Sequence, residues 1–111
     1  MKIRDIIEKT GFEIVNEGDL ERDAGDVYCC DLLSWVMGRA PADSAWVTVI
    51  ANMNTVAVAV LADVSVVILA EGTAIDAATI KKAEQQEVNI LKTTKPAFEA
   101  ALMVHNLIYN T

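Results

Sequence analysis

One histidine, two adjacent cysteines and a carboxylate at the end of an apolar run are the residues of this chain best equipped for chemistry. His105 is the sole imidazole, the usual general base of nucleophilic catalysis. It stands among Leu102, Ile108 and Tyr109 with no nucleophile–base motif beside it, which predicts a core or interface histidine. Cys29 and Cys30 are neighbours, so in a strand they point to opposite faces and a mutual disulfide would need unusual backbone. Neither has His or Cys partners at metal-ligand spacing, and the expectation is two buried free thiols. Asp31 follows them directly and precedes the helix-like run Leu32–Gly38. A carboxylate at such a strand–helix joint either caps the helix or faces a ligand.

Phosphoryl transfer needs more than one such carboxylate. A P-loop requires Gly-x-x-x-x-Gly-Lys-Ser/Thr, because its amides wrap the phosphates and its lysine neutralises them. The glycines are Gly11, Gly18, Gly25, Gly38 and Gly72, and none precedes a lysine. Autonomous kinase activity is therefore rejected, and the dinucleotide pattern Gly-x-Gly-x-x-Gly is also absent. The acids are dispersed, so no metal site is assigned. No cofactor and no catalytic residue is assigned either, and the chain is read as a non-enzyme.

What remains is a rim of polar residues after successive apolar runs. Asp31 and Ser34 follow the first, and Asn52, Asn54 and Thr55 the next. Glu71, Gly72 and Thr73 follow the third, and Thr93, Thr94 and Lys95 the last. Amides at helix starts there could hold a phosphate or carboxylate. The candidate ligand-binding residues are Asp31, Ser34, Asn52, Asn54, Thr55, Gly72 and Thr73. The alternative is that Asp31, Asn54 and Thr94 only cap helices.

The elements that must position this rim follow from periodicity. Ile3, Ile6 and Ile7 have helical spacing within Lys2–Lys9, and Gly11 ends that helix. Phe12–Val15 reads as a strand, and Asn16–Asp26 as a loop whose Leu20 dips into the core. Strands are predicted at Val27–Cys30, Ala45–Ile50, Val64–Ala70 and Asn89–Lys92. Helices are predicted at Leu32–Arg39, Asn52–Ala62 and Ala77–Glu87, the last capped by Asp76. Asn52–Ala62 is apolar on nearly every side, which predicts burial by both the sheet and another surface. A final helix starts at Pro96, with Phe98, Ala101, Leu102, His105 and Tyr109 along one face. Alternating strands and helices imply a mainly parallel β-sheet flanked by helices, an α/β single domain.

Composition sets the remaining bounds. The chain has 111 residues and 53% apolar content, enough for one domain with its own core. Its net charge of −7 and the lack of a Lys/Arg run argue against nucleic acid. Ala45–Ala70 is interrupted by polar residues and has no clean run long enough to cross a membrane. No signal-peptide pattern opens the chain, and a reducing cytoplasm is the expected compartment. Trp35, Val36 and Met37 cannot all face the sheet from one short helix. Met103, Val104 and Leu107 lie off the Phe98–Leu102 stripe. Trp35, Met37, Met103 and Leu107 are therefore the candidate interface of a homodimer, with a different protein partner as the alternative.

Several strings together resemble a known family. Tyr28–Gly38, Ala45–Val49, Asn54–Ala59 and Val66–Gly72 are similar, in order and spacing, to a stand-alone DRTGG-type domain. Asp31-Leu32-Leu33-Ser34 is the most specific of them. Such domains resemble the N-terminal domain of HPr kinase/phosphorylase, and occur beside CBS domains in nucleotide-regulated pyrophosphatases. The resemblance implies an α/β fold, a regulatory role without catalysis, dimerisation and sensing of a small anionic metabolite or nucleotide. The name-giving motif departs here to Arg22-Asp23-Ala24-Gly25-Asp26. If paired glycines serve close backbone approach, Asp26 removes it.

Overall fold

The computed structural model describes residues 1–110. The order is α1 (Ile3–Thr10), β1 (Glu13–Asn16), β2 (Asp26–Cys29), α2 (Leu33–Arg39), β3 (Ser44–Thr48), α3 (Met53–Ala62), β4 (Val66–Leu69), α4 (Ala77–Gln86), β5 (Ile90–Lys92) and α5 (Ala97–Tyr109). The five strands form one sheet in the order β1-β5-β4-β3-β2. Strands β2 to β5 are parallel, and β1 runs antiparallel beside β5. The expected α/β sheet flanked by helices is thus present.

Every crossover from β2 to β5 steps one strand in the same direction. Right-handed crossovers then put α2, α3 and α4 on one face of the sheet. On that face Val36, Val56, Ala59 and Ala83 bury Trp46, Val67, Leu69 and Ile90. On the other face, Ile3 and Ile6 of α1 and Ala100, Ala101 and Val104 of α5 cover Ala45, Val47, Ile68 and Leu91. Strands β3 and β4 are buried throughout, which is why they read as unbroken Val/Ile-rich runs.

Two buried asparagines close the N-terminal end of the parallel strands. Asn89 accepts from the Gly18 N–H at 2.7 Å and donates to the carbonyls of Asp19 and Ser65. Asn16 donates to the Val88 carbonyl. The Asn16–Asp26 segment is a loop as expected, and Leu20 packs against the core from it.

Four expectations are corrected. Of the face Phe98, Ala101, Leu102, His105 and Tyr109 only Ala101 is buried; Phe98 is 73% exposed and His105 is also exposed. Helix α5 instead buries its small face, because Ala100 and Ala101 let it approach the sheet closely. Met103 accordingly packs inward against the core, and Leu107 is half-buried, so neither belongs to an open outer face. Cys29 is exposed and Cys30 only partly covered, because β2 is an edge strand. Helix α3 does pack on the sheet, but Met53, Val60 and Leu61 remain exposed, so no other described element covers its outer side. No helix among the described residues is long and apolar enough to cross a membrane.

Candidate functional site

The connections set where a crevice can open. The chain leaves β4 for α4 on one face and leaves β5 for α5 on the other. Neighbouring parallel strands whose outgoing chains part in this way leave a crevice beyond their C-terminal ends. A cleft of about 470 Å³ lies there, lined by Thr10–Glu13, Gly72 and Lys92–Lys95.

Its floor is held by the two loops bonding to each other. Glu71 and Gly72 both adopt left-handed φ, 62° and 69°. Gly72 donates its N–H to the Thr93 carbonyl at 3.0 Å, and Glu71 donates to that of Lys95 at 2.9 Å. The glycine serves conformation, since a Cβ there would only touch Thr94 at 4.0 Å. The Glu71 carboxylate accepts from the Ala97 N–H at 2.7 Å and caps α5 from the neighbouring loop. Pro96, at the cap position itself, has no side chain able to do so. Two cations border the space. Lys92 pairs with Glu13 at 3.3 Å, whereas Lys95 forms no ion pair among the described residues. The site can therefore offer a free ammonium and the Thr93 and Thr94 side chains to an anion.

The other rim candidates do not join it. Asp31 accepts from the Thr48 hydroxyl at 2.8 Å and the Val49 N–H at 3.0 Å, so it fastens the end of β2 to the end of β3. It does not cap α2, whose cap position is Leu32 without a side-chain bond. Asn52, not Asn54, caps α3, accepting from the Asn54 and Thr55 N–H groups. The Thr55 hydroxyl closes a reciprocal capping box and donates to the Ile50 carbonyl, so buried Thr55 is fully used by the fold. Thr73 bonds back to the Ala70 carbonyl within its own turn. Ser34 lies exposed on α2, which follows β2, and β3 stands between β2 and the β4 end that carries Gly72. Asn52 and Asn54 border a separate depression of about 360 Å³ shared with Asp76 and Thr79. There the Asp76 carboxylate caps α4 by accepting from the Thr79 N–H, as the sequence predicts, and holds its pKa below the ordinary value.

Of the proposed ligand residues, only Gly72 lines the switch-point cleft. Thr93–Lys95 stood on the sequence rim but outside the candidate set. Thr10–Glu13 and Lys92 had no sequence signal, because nothing in the chain announces that β1 docks beside β5.

The nucleophile chemistry is weak. Partial burial, then Asp31 and Cys30, push the Cys29 pKa up, which keeps the thiol protonated. His105 stacks at 4.6 Å on Tyr109 at the surface. No group of three or more His, Cys, Asp or Glu could hold a metal ion among the described residues.

A family model described as "DRTGG domain" matches residues 5–107. The chain belongs to the DRTGG domain family. A solved structure of the CBS and DRTGG domains of the regulatory region of Clostridium perfringens pyrophosphatase, complexed with the activator diadenosine tetraphosphate, superimposes with a TM-score of 0.70. Identity is 14%, over 94% of this chain and 46% of that one, so this DRTGG domain spans less than half of that chain and shares its fold. A comparison with curated proteins finds no match.

The family motif acquires a structural meaning here. Read one residue earlier, as Glu21-Arg22-Asp23-Ala24-Gly25, the segment keeps the motif's arginine and its final glycine. The Arg22 guanidinium bridges Asp43 and Asp63, donating at 2.8 Å to each carboxylate and at 2.7 Å to the Asp63 carbonyl. Both aspartates have left-handed φ, at the turn before β3 and at the end of α3. Gly25 has open space around it, so no close approach depends on glycine at that position.

Proposed function

We propose that this DRTGG domain is a non-catalytic regulatory module that binds a small anionic metabolite or nucleotide and works as a homodimer in the cytoplasm. The cleft between the α1–β1 turn and the β5 loop, with Gly72 of the β4 loop at its edge, carries the reading. It lies at the fold's switch point, is walled by backbone and threonines, and holds the free Lys95 ammonium beside the Lys92–Glu13 pair. It contains no imidazole, thiol or carboxylate pair, which suits recognition better than turnover. That a regulatory region with this fold was crystallised with a nucleotide activator is consistent with it.

Thermal-shift screening of nucleotides, acyl phosphates and sugar phosphates tests the ligand. At a hundredfold excess over Kd, a ligand contributes about 2.7 kcal/mol, an upward shift of about ten degrees for a chain of this length. Lys95→Ala should abolish the shift, and Asn54→Ala should leave it intact. No stabilisation by any compound in the set would remove the ligand from the reading.

A second reading, a protein-interaction adaptor without a small-molecule site, is favoured by the uncovered apolar side of α2 and α3. Leu32, Trp35, Met37, Val60 and Leu61 are all exposed there. Under it, Leu61→Lys abolishes partner capture and Lys95→Ala changes no binding property.

A further inference from the structure

The two edges of the sheet are protected very differently. Edge β1 carries a bulge between Ile14 and Asn16, and its Glu13 is tied to Lys92. Bulges and charged residues are the usual defences of an edge against pairing with another chain. Edge β2 has no bulge along Asp26–Cys29, its register against β3 is unbroken and it holds no lysine or proline; its one charge, Asp26, is its first residue and already accepts from the Val27 N–H and the Tyr109 hydroxyl. The Gly25 N–H donates to the Asp43 carbonyl, toward β3. By strand alternation the backbone groups of Val27 and Cys29 follow it, and those of Asp26 and Tyr28 point out from the sheet.

Beside this edge runs the stripe of α5 that the core does not use. A shallow groove of about 240 Å³ is lined by Val27, Cys29, Phe98, Ala101, Leu102 and His105. Phe98, Leu102 and Tyr109 are 73%, 43% and 52% exposed. The groove holds no carboxylate, although the chain carries a net charge of −7. Two copies of so acidic a protein repel each other over most of their surface; the one carboxylate bordering this strip, Asp26, is engaged by the Tyr109 hydroxyl at 3.0 Å. The exposed Trp35 on α2 differs, since the Arg39 guanidinium already covers its ring at 3.9 Å.

We propose that a second copy of this chain docks on the β2 edge by antiparallel β2–β2 pairing, with the Phe98–Leu102 side of α5 packed against the same side of the partner. This rests on the homodimer reading above and names its surface. A two-fold axis through Tyr28, normal to the sheet, lets the two Tyr28 residues exchange backbone hydrogen bonds. It sets Val27 opposite the partner's Cys29 on the α5 side, which extends the apolar groove across the junction. It also sets Asp26 opposite the partner's Cys30, so the two Asp26 carboxylates never face each other. Ten strands would then form one continuous sheet, with the two α5 helices running antiparallel.

Sedimentation of the full chain from low micromolar to near-millimolar concentration, with amide exchange at Tyr28, tests the proposal. The wild type should dimerise, and its Tyr28 amide should become more protected as concentration rises. Phe98→Glu/Leu102→Glu should stay monomeric throughout, with Tyr28 exchanging at the dilute wild-type rate. Leu102→Gln, a milder change, should weaken the dimer at least tenfold and serves if the double variant melts early. Trp35→Glu should leave dimerisation unchanged. A dimer that survives both α5 variants, or that Trp35→Glu breaks, overturns this surface and leaves the homodimer reading standing. A wild type monomeric at every concentration overturns both, without touching the ligand reading.

Discussion

The two ends of the parallel strands are built on opposite plans. At the N-terminal end, polar side chains are consumed by the backbone: Asn89 serves three partners, Asn16 one, and Arg22 holds Asp43 and Asp63 together. At the C-terminal end, the β4 and β5 loops bond to each other through the main chain, leaving Thr94 and Lys95 around open space. One end fixes where the strands start; the other is left free to be filled. The family's motif segment lies at the fixed end, where Arg22 is bonded to Asp43 and Asp63.

The contrast can be attacked with single substitutions. Gly18→Ala should do the most harm, because its Cβ would lie 2.1 Å from the Glu87 carbonyl oxygen, a backbone atom. A loss of about 3 kcal/mol or more is expected by chemical denaturation. Asn89→Ala takes a partner from the Gly18 N–H and from the Asp19 and Ser65 carbonyls, the last of them buried, and should cost about 2–3 kcal/mol in the same assay. Asp31→Ala, at the open end, removes two bonds to one exposed carboxylate and should cost about 1–2 kcal/mol, with ligand binding unchanged. Arg22→Ala should cost about 1 kcal/mol, since both aspartates it pairs with are well exposed. Lys95→Ala should move stability by less than about 0.5 kcal/mol while abolishing ligand response. A Lys95 variant as unstable as the Asn89 variant would erase the distinction between the ends.

The smallest effect is one of pH. The Thr79 bond depresses the folded-state pKa of Asp76 below its unfolded value. Its contribution is present above the unfolded carboxylate value and disappears as pH falls through the lower, folded one. Asp76→Asn should therefore narrow the stability difference between neutral and strongly acidic solution, measured by denaturation at both.

Much of this was legible in the chain. The order of elements follows from apolar runs and breakers, and the Asp76 cap from its place before a helical pattern. The strand order was not, because alternation is compatible with several sheets; yet that order decides which loops meet. It isolates Asp31 and Ser34 from Gly72 and brings β1, with Thr10–Glu13, to the cleft. The α5 face was misjudged because large apolar residues dominate a helical pattern. A helix lying close on a sheet buries alanines instead, as Ala100 and Ala101 do here. The cysteines were misplaced for a related reason: four apolar letters look alike in a central and an edge strand.

The antiparallel seat of β1 beside β5 has a consequence for synthesis. Glu13 is paired with Lys92, and Gly18 with Asn89, across most of the chain's length. Strands β2, β3 and β4 can join in the order they emerge, each needing only its predecessor and one helix. Strand β1 must wait until β5, about 75 residues later, has been made before its neighbour appears. Until then, the flank of the nascent sheet that β5 and β1 will occupy stays bare. Such distant pairing slows folding relative to the local steps that precede it.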